Sequence, residues 1–355
     1  MIRHLWHLLA ALLALTAAPV LAQAGAPQRI VAIGDLHGDF EAWQAIARSA
    51  GLIDDRGRWS GGATILVQTG DIVDRGPASR GILDQLMRLQ RESPRRGGQV
   101  IVLTGNHEAM NLTGDLRYVH PGEYAAFVTP DSKRLRDLLF ADRAASFASR
   151  AGAGERKPTQ AQVRALFDQQ TPLGLVEHQI AFDPARGQYG RWIAGNPVAV
   201  RVGDTLFVHG GLSSEYARRP LDELNRQATA ELTARRQDEA ALINDPLGPL
   251  WYRGLVTRAP AAGEQPASSA QAASARPSIA EELSQVLAAT GARRIVVGHT
   301  PSLKGILVDH DGRLVRIDSG ISRYYRGPLS FLEIIGDRLV PHTVARPSSV
   351  QPESR

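Results

Sequence analysis

The chain of 355 residues contains no cysteine. Disulfides, thiolate metal sites and cysteine nucleophiles are therefore excluded. Aromatic residues make up only 6% of the chain, and the arginines behind the net charge of +5 are scattered rather than gathered in a basic block. Because no series of stacking aromatics accompanies them, nucleic acid is not expected as a partner. These arginines are better explained by binding of a small anionic group on a substrate.

Long apolar runs are also missing, except at the N-terminus. There Arg3 precedes an apolar run from Leu5 to Val20, and Ala22-Gln23-Ala24 has the small-x-small pattern of a cleavage site. The run is short for a membrane-spanning helix and is broken by Pro19. We predict an export signal over residues 1–24, cleaved after Ala24, and hence a periplasmic or secreted protein without membrane attachment. An uncleaved membrane anchor is the alternative.

The first part of the remaining chain alternates strand-like and helix-like patterns. Arg29 to Ile33, Thr64 to Gln68 and Gln99 to Thr104 are short apolar runs, and helical spacing follows at Phe40 to Ala50 and Pro77 to Gln90. Repeated strand–helix alternation favours a parallel sheet in an α/β fold.

The second part predicts a more antiparallel sheet. Val198 to Val202 and Thr205 to Val208 are expected to pair around Gly203-Asp204, and Pro220 to Leu242 is expected to be helical. Four further strands are expected to alternate as antiparallel neighbours in this second sheet: Gly305 to Val308, Leu314 to Ile317, Ser330 to Ile335 and Arg338 to Thr343.

One domain, from residue 25 to 346, accommodates these elements. Within it, residues 110–191 have an irregular helix-like pattern and are interpreted as an insertion over the functional site; a packing appendage is the alternative. Ala144 to Pro158 is predicted to be a surface excursion and Arg258 to Pro277 a mobile loop, on composition. The tail 347–355 is expected to be disordered.

Five loops share one property: each follows a strand-like run, contains glycine, and carries Asp, Asn or His. They are Gly34 to Asp39, Gly70 to Gly76, Gly105 to Glu108, His209 to Gly211 and Gly298 to Thr300. Open α/β layers place ligands at such strand ends. The densest loop holds Asp71, whose two carboxylate oxygens can bind two cations, so we predict that Asp71 bridges a pair of metal ions.

Six side chains in these loops form the predicted metal site: Asp35, His37, Asp71, Asn106, His209 and His299. Carboxylate and amide oxygens with imidazole nitrogens suit Mn²⁺, Fe or Zn²⁺, and we predict two divalent ions with Mn²⁺ first. Such a pair activates water and withdraws charge from a phosphoryl oxygen, which favours hydrolysis of a phosphate ester by in-line attack of a hydroxide bound to both ions.

Four further residues have predicted catalytic roles. His107, next to the ligand Asn106, is the candidate general acid for the leaving oxygen, and Asp74 is placed to orient its imidazole. Arg75 and Arg253 are candidates for holding the equatorial phosphate oxygens, with Asn106 as a third substrate contact.

The motifs Gly34-Asp35-Leu36-His37-Gly38, Gly70 to Gly76, Gly105-Asn106-His107-Glu108, His209-Gly210-Gly211 and Gly298-His299 resemble the signature series of the phosphoprotein phosphatases, within the calcineurin-like metallophosphoesterases. The resemblance implies a four-layered α/β/β/α sandwich with mixed β-sheets, a dinuclear centre and the ligand roles above. Asp74 implies a protein phosphatase rather than a diadenosine tetraphosphate hydrolase. Ser214, Tyr252-Arg253-Gly254 and the segment Arg316 to Ser322 depart from the eukaryotic Ser/Thr phosphatases and resemble the bacterial-type Shewanella-like branch, which leans toward phosphotyrosine.

The leading hypothesis is therefore an exported, monomeric metallophosphatase (EC 3.1.3.-) that acts on phosphoprotein, with phosphotyrosine preferred. A hydrolase of nucleotides or other small phosphoesters, of the dinucleoside polyphosphate type, is the enzymatic alternative. A catalytically inactive phosphate-binding module is the non-enzymatic one.

Overall fold

A computed structural model of the chain describes residues 28–151, 159–258 and 276–347. The predicted signal over residues 1–24, most of the predicted loop from Arg258 to Pro277 and nearly all of the tail lie outside these ranges. Over the described ranges, no helix has the length and apolar character needed to cross a bilayer.

The first sheet has five strands in the order β10–β9–β1–β2–β3. The bounds are β1 Arg29–Ile33, β2 Ile65–Gln68, β3 Gln99–Val102, β9 Leu329–Ile335 and β10 Arg338–Val344. The strands β1, β2 and β3 run parallel, as the strand–helix alternation predicts, while β9 pairs antiparallel with β1 and β10 pairs antiparallel with β9.

The second sheet has five strands in the order β4–β5–β6–β8–β7. Their bounds are β4 Ala199–Val202, β5 Thr205–Val208, β6 Arg294–Val297, β7 Leu307–Asp309 and β8 Leu314–Arg316. Here β5, β6 and β8 are parallel, and the hairpin partners β4 and β7 flank them in antiparallel pairing.

The helices of the described chain connect these strands or form the insertion between β3 and β4. Their bounds are α1 Phe40–Ser49, α2 Ser79–Glu92, α3 Asn106–Thr113, α4 Pro121–Ala125, α5 Ser132–Ala151, α6 Gln160–Gln170, α7 Leu175–Ala181, α8 Gln188–Ala194, α9 Leu221–Thr233 and α10 Ile279–Thr290. Short 3₁₀ turns lie at Ser93–Arg96, Tyr216–Arg218 and His310–Gly312.

The two sheets pack face to face, with helices on their outer faces. In β1, Ile30 and Ala32 belong to an apolar cluster that also contains Phe207 and Val296 of the second sheet. The alternate residues of β1 point the other way and join a larger cluster with α1 and α2. Because successive side chains of a strand face opposite sides, β1 serves both layers, and the four-layered α/β/β/α sandwich is confirmed.

The prediction for the last hairpin was wrong. Strands β9 and β10 join the first sheet, where Arg29 to Ala32 pair with β9, instead of extending the second. Four consecutive residues of β9, Leu329 to Leu332, are buried. A strand that is covered on both faces lacks the alternation that would indicate its sheet, so the sequence could not place it.

The predicted end of one helix was also wrong. Helix α9 ends at Thr233 and not at Leu242, because Arg235 adopts a left-handed backbone conformation (φ 54°) that a helix cannot continue through. Helix α5 continues to Ala151, so the described part of the predicted surface excursion at Ala144 to Pro158 is helical, and the rest of it lies outside the described residues. Alanine and arginine are strong helix formers, which explains the continuation.

Candidate metal centre

The carboxyl ends of the parallel strands of both sheets meet at one edge of the sandwich. In the first sheet, the backbone N–H groups of Leu36 and His37 both donate to the carbonyl of Asp71, each at 2.9 Å. In the second sheet, the N–H of Gly298 donates to the carbonyl of His209 at 2.7 Å. Each of these bonds joins two neighbouring strand-end loops. The side chains on the loops are therefore held in fixed positions relative to the ends of the strands.

Asp71 belongs to two clusters of potential metal-binding side chains. One comprises His37, Asp71 and His107, and the other Asp71, His209 and His299; the ligand atoms within each lie within 4.8 Å of one another. Asp71 Oδ2 is 3.8 Å from His37 Nε2, and Asp71 Oδ1 is 3.4 Å from His209 Nε2. The carboxylate thus presents one oxygen to each cluster, which is the arrangement expected of a bridging ligand.

Backbone carbonyls orient two of the imidazoles. His37 Nδ1 donates to the carbonyl of Val73 at 3.1 Å, and His209 Nδ1 donates to the carbonyl of Thr69 at 2.8 Å. In both rings Nε2 is left facing Asp71, a common arrangement for metal-binding histidines. Within the described residues, the buried Nε2 of His299 has no hydrogen-bond partner. A buried unpaired nitrogen is costly unless something binds it, so the donor set fits divalent cations.

The two remaining predicted ligands lie at the same place. Asn106 Oδ1 is 2.9 Å from His209 Nε2. The carboxylate of Asp35 accepts from the backbone N–H of His299 at 3.1 Å. The structure therefore brings all six predicted ligand side chains together.

Burial and mutual charge shift the pKa values of these groups in opposite directions. Burial, with the charges of Asp318 and Asp71, raises the pKa of Asp35 well above its usual value. Burial also raises the pKa of Asp71, but His209 and His107 outweigh it, and the net pKa lies well below the usual value. Burial and neighbouring imidazoles lower the pKa of His37 to about 3 and that of His299 well below normal. Both rings are therefore neutral, the form that binds metals.

His107 forms a hydrogen-bonded dyad with Asp74. Its Nδ1 lies 2.6 Å from Asp74 Oδ2, and Asn111 Nδ2 donates to the other oxygen of Asp74 at 2.9 Å. Burial lowers the pKa of His107, but Asp71 and Asp74 outweigh it and raise the pKa above normal. Since His107 Nε2 lies 3.9 Å from Asp71 Oδ2, the free nitrogen faces the centre. This geometry suits a proton donor, as the sequence predicts.

Arg75 lies between two tyrosines. Its guanidinium is 4.0 Å from the ring centroid of Tyr118 and 4.8 Å from that of Tyr324, and Nη1 donates to the Tyr324 hydroxyl at 3.1 Å. Nε of Arg75 is buried and has no partner among the described residues. The Tyr118 ring also contacts His107, with centroids 5.2 Å apart. A restrained guanidinium with an unused donor beside the centre matches the predicted phosphate contact.

Arg253 is anchored on the other side of the centre. Its Nη1 donates to the carbonyl of His299 at 2.9 Å and to Thr300 Oγ1 at 3.3 Å. These two bonds place a second cation next to a predicted metal ligand.

Sequence reasoning missed the role of Glu108. This fully buried carboxylate accepts from the backbone N–H groups of Asp71 at 2.8 Å, Ile72 at 2.7 Å and Gly105 at 2.8 Å. It therefore fixes the backbone on both sides of the bridging residue. The signal was present, because a Glu three residues after a helix-capping position is a recognised pattern.

Asp318 was also missed, although the segment around it was noted as a departure. It lies two residues after the end of β8, and burial raises its pKa to about 6. The rule that identifies the other strand-end residues applies to Asp318 as well. It was not applied because residues 314–317 were expected to be an antiparallel strand, whereas β8 is parallel to β6.

Backbone strain is concentrated at this centre. Left-handed conformations occur at His37 (φ 43°), Asp71 (φ 53°), Asp74 (φ 70°), Arg75 (φ 66°) and His299 (φ 64°). Such conformations are costly for residues with a Cβ atom and persist where the surrounding structure enforces them, typically at functional sites. At the neighbouring Gly105, an added Cβ would lie 2.3 Å from Asp71 Oδ1, so only glycine fits there.

The insertion between β3 and β4 contacts the centre through Tyr118, whose carbonyl accepts from the N–H of Arg75 at 3.0 Å. Further along, Glu123 accepts from the N–H of Ser79 at the start of α2. Phe127, which follows α4, packs in a tilted ring contact with Phe182, which follows α7. Tyr118 and Asn111 of the predicted insertion thus contact residues of the centre, while other residues of the insertion pack against one another.

Comparison with known proteins places these features in context. A family model described as calcineurin-like phosphoesterase matches residues 28–303. Shewanella-like protein phosphatase 2 of Arabidopsis thaliana is 31% identical over 307 residues, which cover 84% of this chain and 72% of that protein.

Two solved structures share the fold. A cold-active protein-tyrosine phosphatase of a psychrophilic Shewanella species aligns with a TM-score of 0.62 and 23% identity, covering 90% of this chain and 81% of its own. A protein serine/threonine phosphatase of Saccharomyces cerevisiae aligns with a TM-score of 0.53 and 16% identity, covering 93% and 83%.

Proposed function

The chain belongs to the calcineurin-like phosphoesterases and resembles their Shewanella-like protein phosphatases, and from this premise we propose that it is a two-metal phosphomonoesterase acting on phosphotyrosine in proteins. The observation that carries the proposal is the pair of side-chain clusters that share Asp71. Family membership supports hydrolysis of phosphoesters; the metal stoichiometry and the substrate are the proposed parts.

Asp35, His37, Asp71, Asn106, His209 and His299 would hold the two ions. Two bound divalent ions supply activated water and neutralise charge on the phosphoryl group. The donor set of imidazole nitrogens with carboxylate and amide oxygens suits Mn²⁺, with Fe or Zn²⁺ as alternatives.

Protein side chains do the rest of the proposed chemistry. Arg75 and Arg253 flank the centre and orient the phosphate through charged hydrogen bonds. Asn106 is the third proposed substrate contact. His107 Nε2 donates a proton to the leaving oxygen, while Asp74 holds the ring through Nδ1.

Aromatic residues at the site support the preference for phosphotyrosine. Tyr324 is 58% exposed beside Arg75, and Tyr325 packs against both Tyr324 and His37. An exposed tyrosine ring next to the phosphate-binding arginine offers a surface against which an aryl leaving group can pack. The names of the Arabidopsis relative and of the Shewanella structure agree with a protein substrate.

We also propose that the protein is exported, on the strength of Arg3, the apolar run after it and the Ala22-Gln23-Ala24 pattern. N-terminal sequencing of protein recovered from the periplasm or medium of a bacterial host tests this. A first residue of Gly25 is expected; retention of Met1 in the membrane fraction would identify an anchor instead.

The substrate proposal is tested with purified protein, stripped of metal and reloaded with Mn²⁺. Turnover is measured on a phosphotyrosine peptide, on the same peptide with phosphothreonine, and on diadenosine tetraphosphate. We expect the highest kcat/KM on phosphotyrosine. A higher value on the dinucleotide would favour the small-phosphoester alternative, and no turnover on any of the three with two metal ions bound would favour an inactive binding module.

A further inference from the structure

Away from the metal centre, a cavity of about 550 Å³ lies between α1, α2 and the loop before β2. Four arginines line it: Arg48 on α1, Arg56 in the loop, and Arg88 and Arg91 on α2. Two carboxylates, Asp55 and Asp84, also line it, so cationic groups outnumber anionic ones by four to two. The volume is in the range of small-molecule sites, roughly 300–1,000 Å³.

The side chains of three of these arginines have no partner among the described residues. Arg88 donates to Glu92 at 3.0 Å and to the carbonyl of Gly57 at 2.8 Å. Arg48, Arg56 and Arg91, by contrast, take part in no side-chain hydrogen bond or ion pair with a described residue. These three exposed guanidinium groups leave the cavity with an excess of positive charge over its two carboxylates, and that excess attracts an anion.

The walls of the cavity are fixed. Gln85 on α2 accepts from Trp43 Nε1 of α1 at 2.9 Å and donates to the carbonyl of Gly57 at 2.9 Å. One side chain thus links both helices and the loop. Because the framework is already held, a ligand would not have to organise it on binding, which lowers the entropic cost.

The cavity is distinct from the metal centre. The Gly34 to Asp39 loop, which belongs to the metal centre, leads directly into α1 at Phe40. Phe40 lines the cavity, and Arg48 lies eight residues further along the helix. At 1.5 Å per residue, this separates Arg48 from the start of α1 by about 12 Å. A phosphate held by Arg48 and Arg91 is therefore not the phosphate that reacts at Asp71.

From these observations we propose that the cavity binds a second phosphate monoester, of nucleotide size. Guanidinium groups bind phosphate oxygens in a bidentate manner, and three are available. The partly exposed side chains of Phe40 and Met87 give the cavity an apolar side, against which a base or another planar group can pack. A bare inorganic anion would leave that side uncovered.

The test uses the full-length metal-loaded enzyme and the phosphonate analogue of AMP, whose carbon–phosphorus bond resists phosphoester hydrolysis. Calorimetric titration counts the sites on the wild type, on Arg48→Gln/Arg56→Gln/Arg91→Gln, and on a control of equal charge change, Arg95→Gln/Arg96→Gln/Arg338→Gln. The control arginines are exposed and lie outside the cavity. Thermal unfolding of each variant reports folding.

We expect the wild type and the control to bind the analogue at a site that the cavity variant loses, with affinity reduced tenfold or more. Equal binding by all three proteins overturns the proposal. Wild-type binding of inorganic phosphate at that site as tightly as the analogue overturns the assignment of an organic ligand. A tyrosine-phosphorylated peptide that binds there when the analogue does not would replace the small-molecule assignment with a peptide one.

Discussion

At the residue scale, the hydrogen bond between Nδ1 and Asp74 determines which ring nitrogen of His107 faces the centre. With Nδ1 bonded to Asp74, only Nε2 is free to face the centre. The same nitrogen belongs to one of the potential metal-binding clusters, so its geometry is compatible with either a proton donor or a ligand. The two roles give different results when the ring is replaced.

For His107→Asn we expect a loss of activity that depends on the leaving group. General acid catalysis contributes about 10²–10⁴-fold, and a phenolate with a pKa of about 10 needs a proton less than an alkoxide does. Turnover on phosphoserine peptide should therefore fall more than turnover on p-nitrophenyl phosphate. The metal content, measured by mass spectrometry, should remain at two ions per chain. Equal losses on both substrates argue against the acid role, and loss of one ion identifies His107 as a ligand.

Tyr324 is expected to affect substrate binding rather than chemistry. Tyr324→Ala removes both the ring beside Arg75 and the hydroxyl bond to Nη1. Such contacts are worth about 0.5–2 kcal/mol, so KM for a phosphotyrosine peptide should rise several-fold with little change in kcat. Tyr324→Phe keeps the ring and should retain the preference for aryl over alkyl phosphate. A fall in kcat alone in the alanine variant would show that the ring does not bind the substrate.

At the scale of elements, Glu282 of α10 binds three other segments of the chain: the loop after β5, the segment from Tyr252 to Arg258, and Arg276. This buried residue of α10 accepts from the Tyr252 hydroxyl at 2.5 Å, from Arg276 at 2.7 Å, from Arg258 at 2.8 Å and from the N–H of Ser214 at 3.0 Å. Burial raises its pKa, but these bonds outweigh burial and lower the pKa from 4.5 to about 2. Glu282 thereby fixes the backbone next to Arg253.

The pH dependence of stability follows from this shift. A carboxyl group whose pKa is lower in the folded state stabilises the fold fully above its unfolded pKa of 4.5 and loses that contribution as the pH falls toward 2. Glu282→Gln should therefore reduce the free energy of unfolding in urea by about 1.5–3 kcal/mol at pH 6. The difference from wild type should shrink steadily from pH 4.5 downward.

The exposed Glu239 provides the matched control. Glu239→Gln should leave the unfolding free energy within about 0.5 kcal/mol of wild type at each pH. A deficit in Glu282→Gln that stays constant from pH 6 to pH 3 would show that the lost stability comes from packing and not from the ionised carboxylate.

The elements also show where sequence reasoning succeeded and where it failed. Short apolar runs followed by Gly and a polar residue identified β1, β2, β3, β5 and β6 because both sheets use their parallel strands in the same way. The final hairpin and β8 were misassigned, since pairing depends on neighbours that are distant in the chain. Because β8 was misassigned, Asp318 was not predicted as a site residue.

At the scale of the whole molecule, four acidic side chains, Asp35, Asp71, Glu108 and Asp318, are buried together at the meeting point of the two sheets. Mutual repulsion and burial raise the pKa values of Asp35, Glu108 and Asp318. Isolated buried charges destabilise a fold, and bound cations compensate them.

Removal of metal should therefore lower stability as well as activity. Dialysis against a chelator should lower the thermal unfolding midpoint, and Mn²⁺ should restore it in a concentration-dependent way. Binding at one site should raise the free energy of unfolding by about 2.7 kcal/mol at a hundred times the dissociation constant. Differential scanning calorimetry at several Mn²⁺ concentrations measures this. In Asp71→Asn the shift should be largely lost. A midpoint independent of Mn²⁺ in the wild-type protein would contradict a metal site in this cluster.

The sequence by itself determined which side chains form the candidate site, because side-chain type and position after a strand are local properties. Six predicted ligands, the His107–Asp74 pair and Arg75 were identified without knowledge of their contacts. Only the tertiary structure decided what surrounds them: the partner sheet of the last hairpin, the support of Asp71 by Glu108, and the tyrosines on either side of Arg75. Those contacts join residues tens to hundreds of positions apart, and folding brings them together through packing that no local pattern encodes.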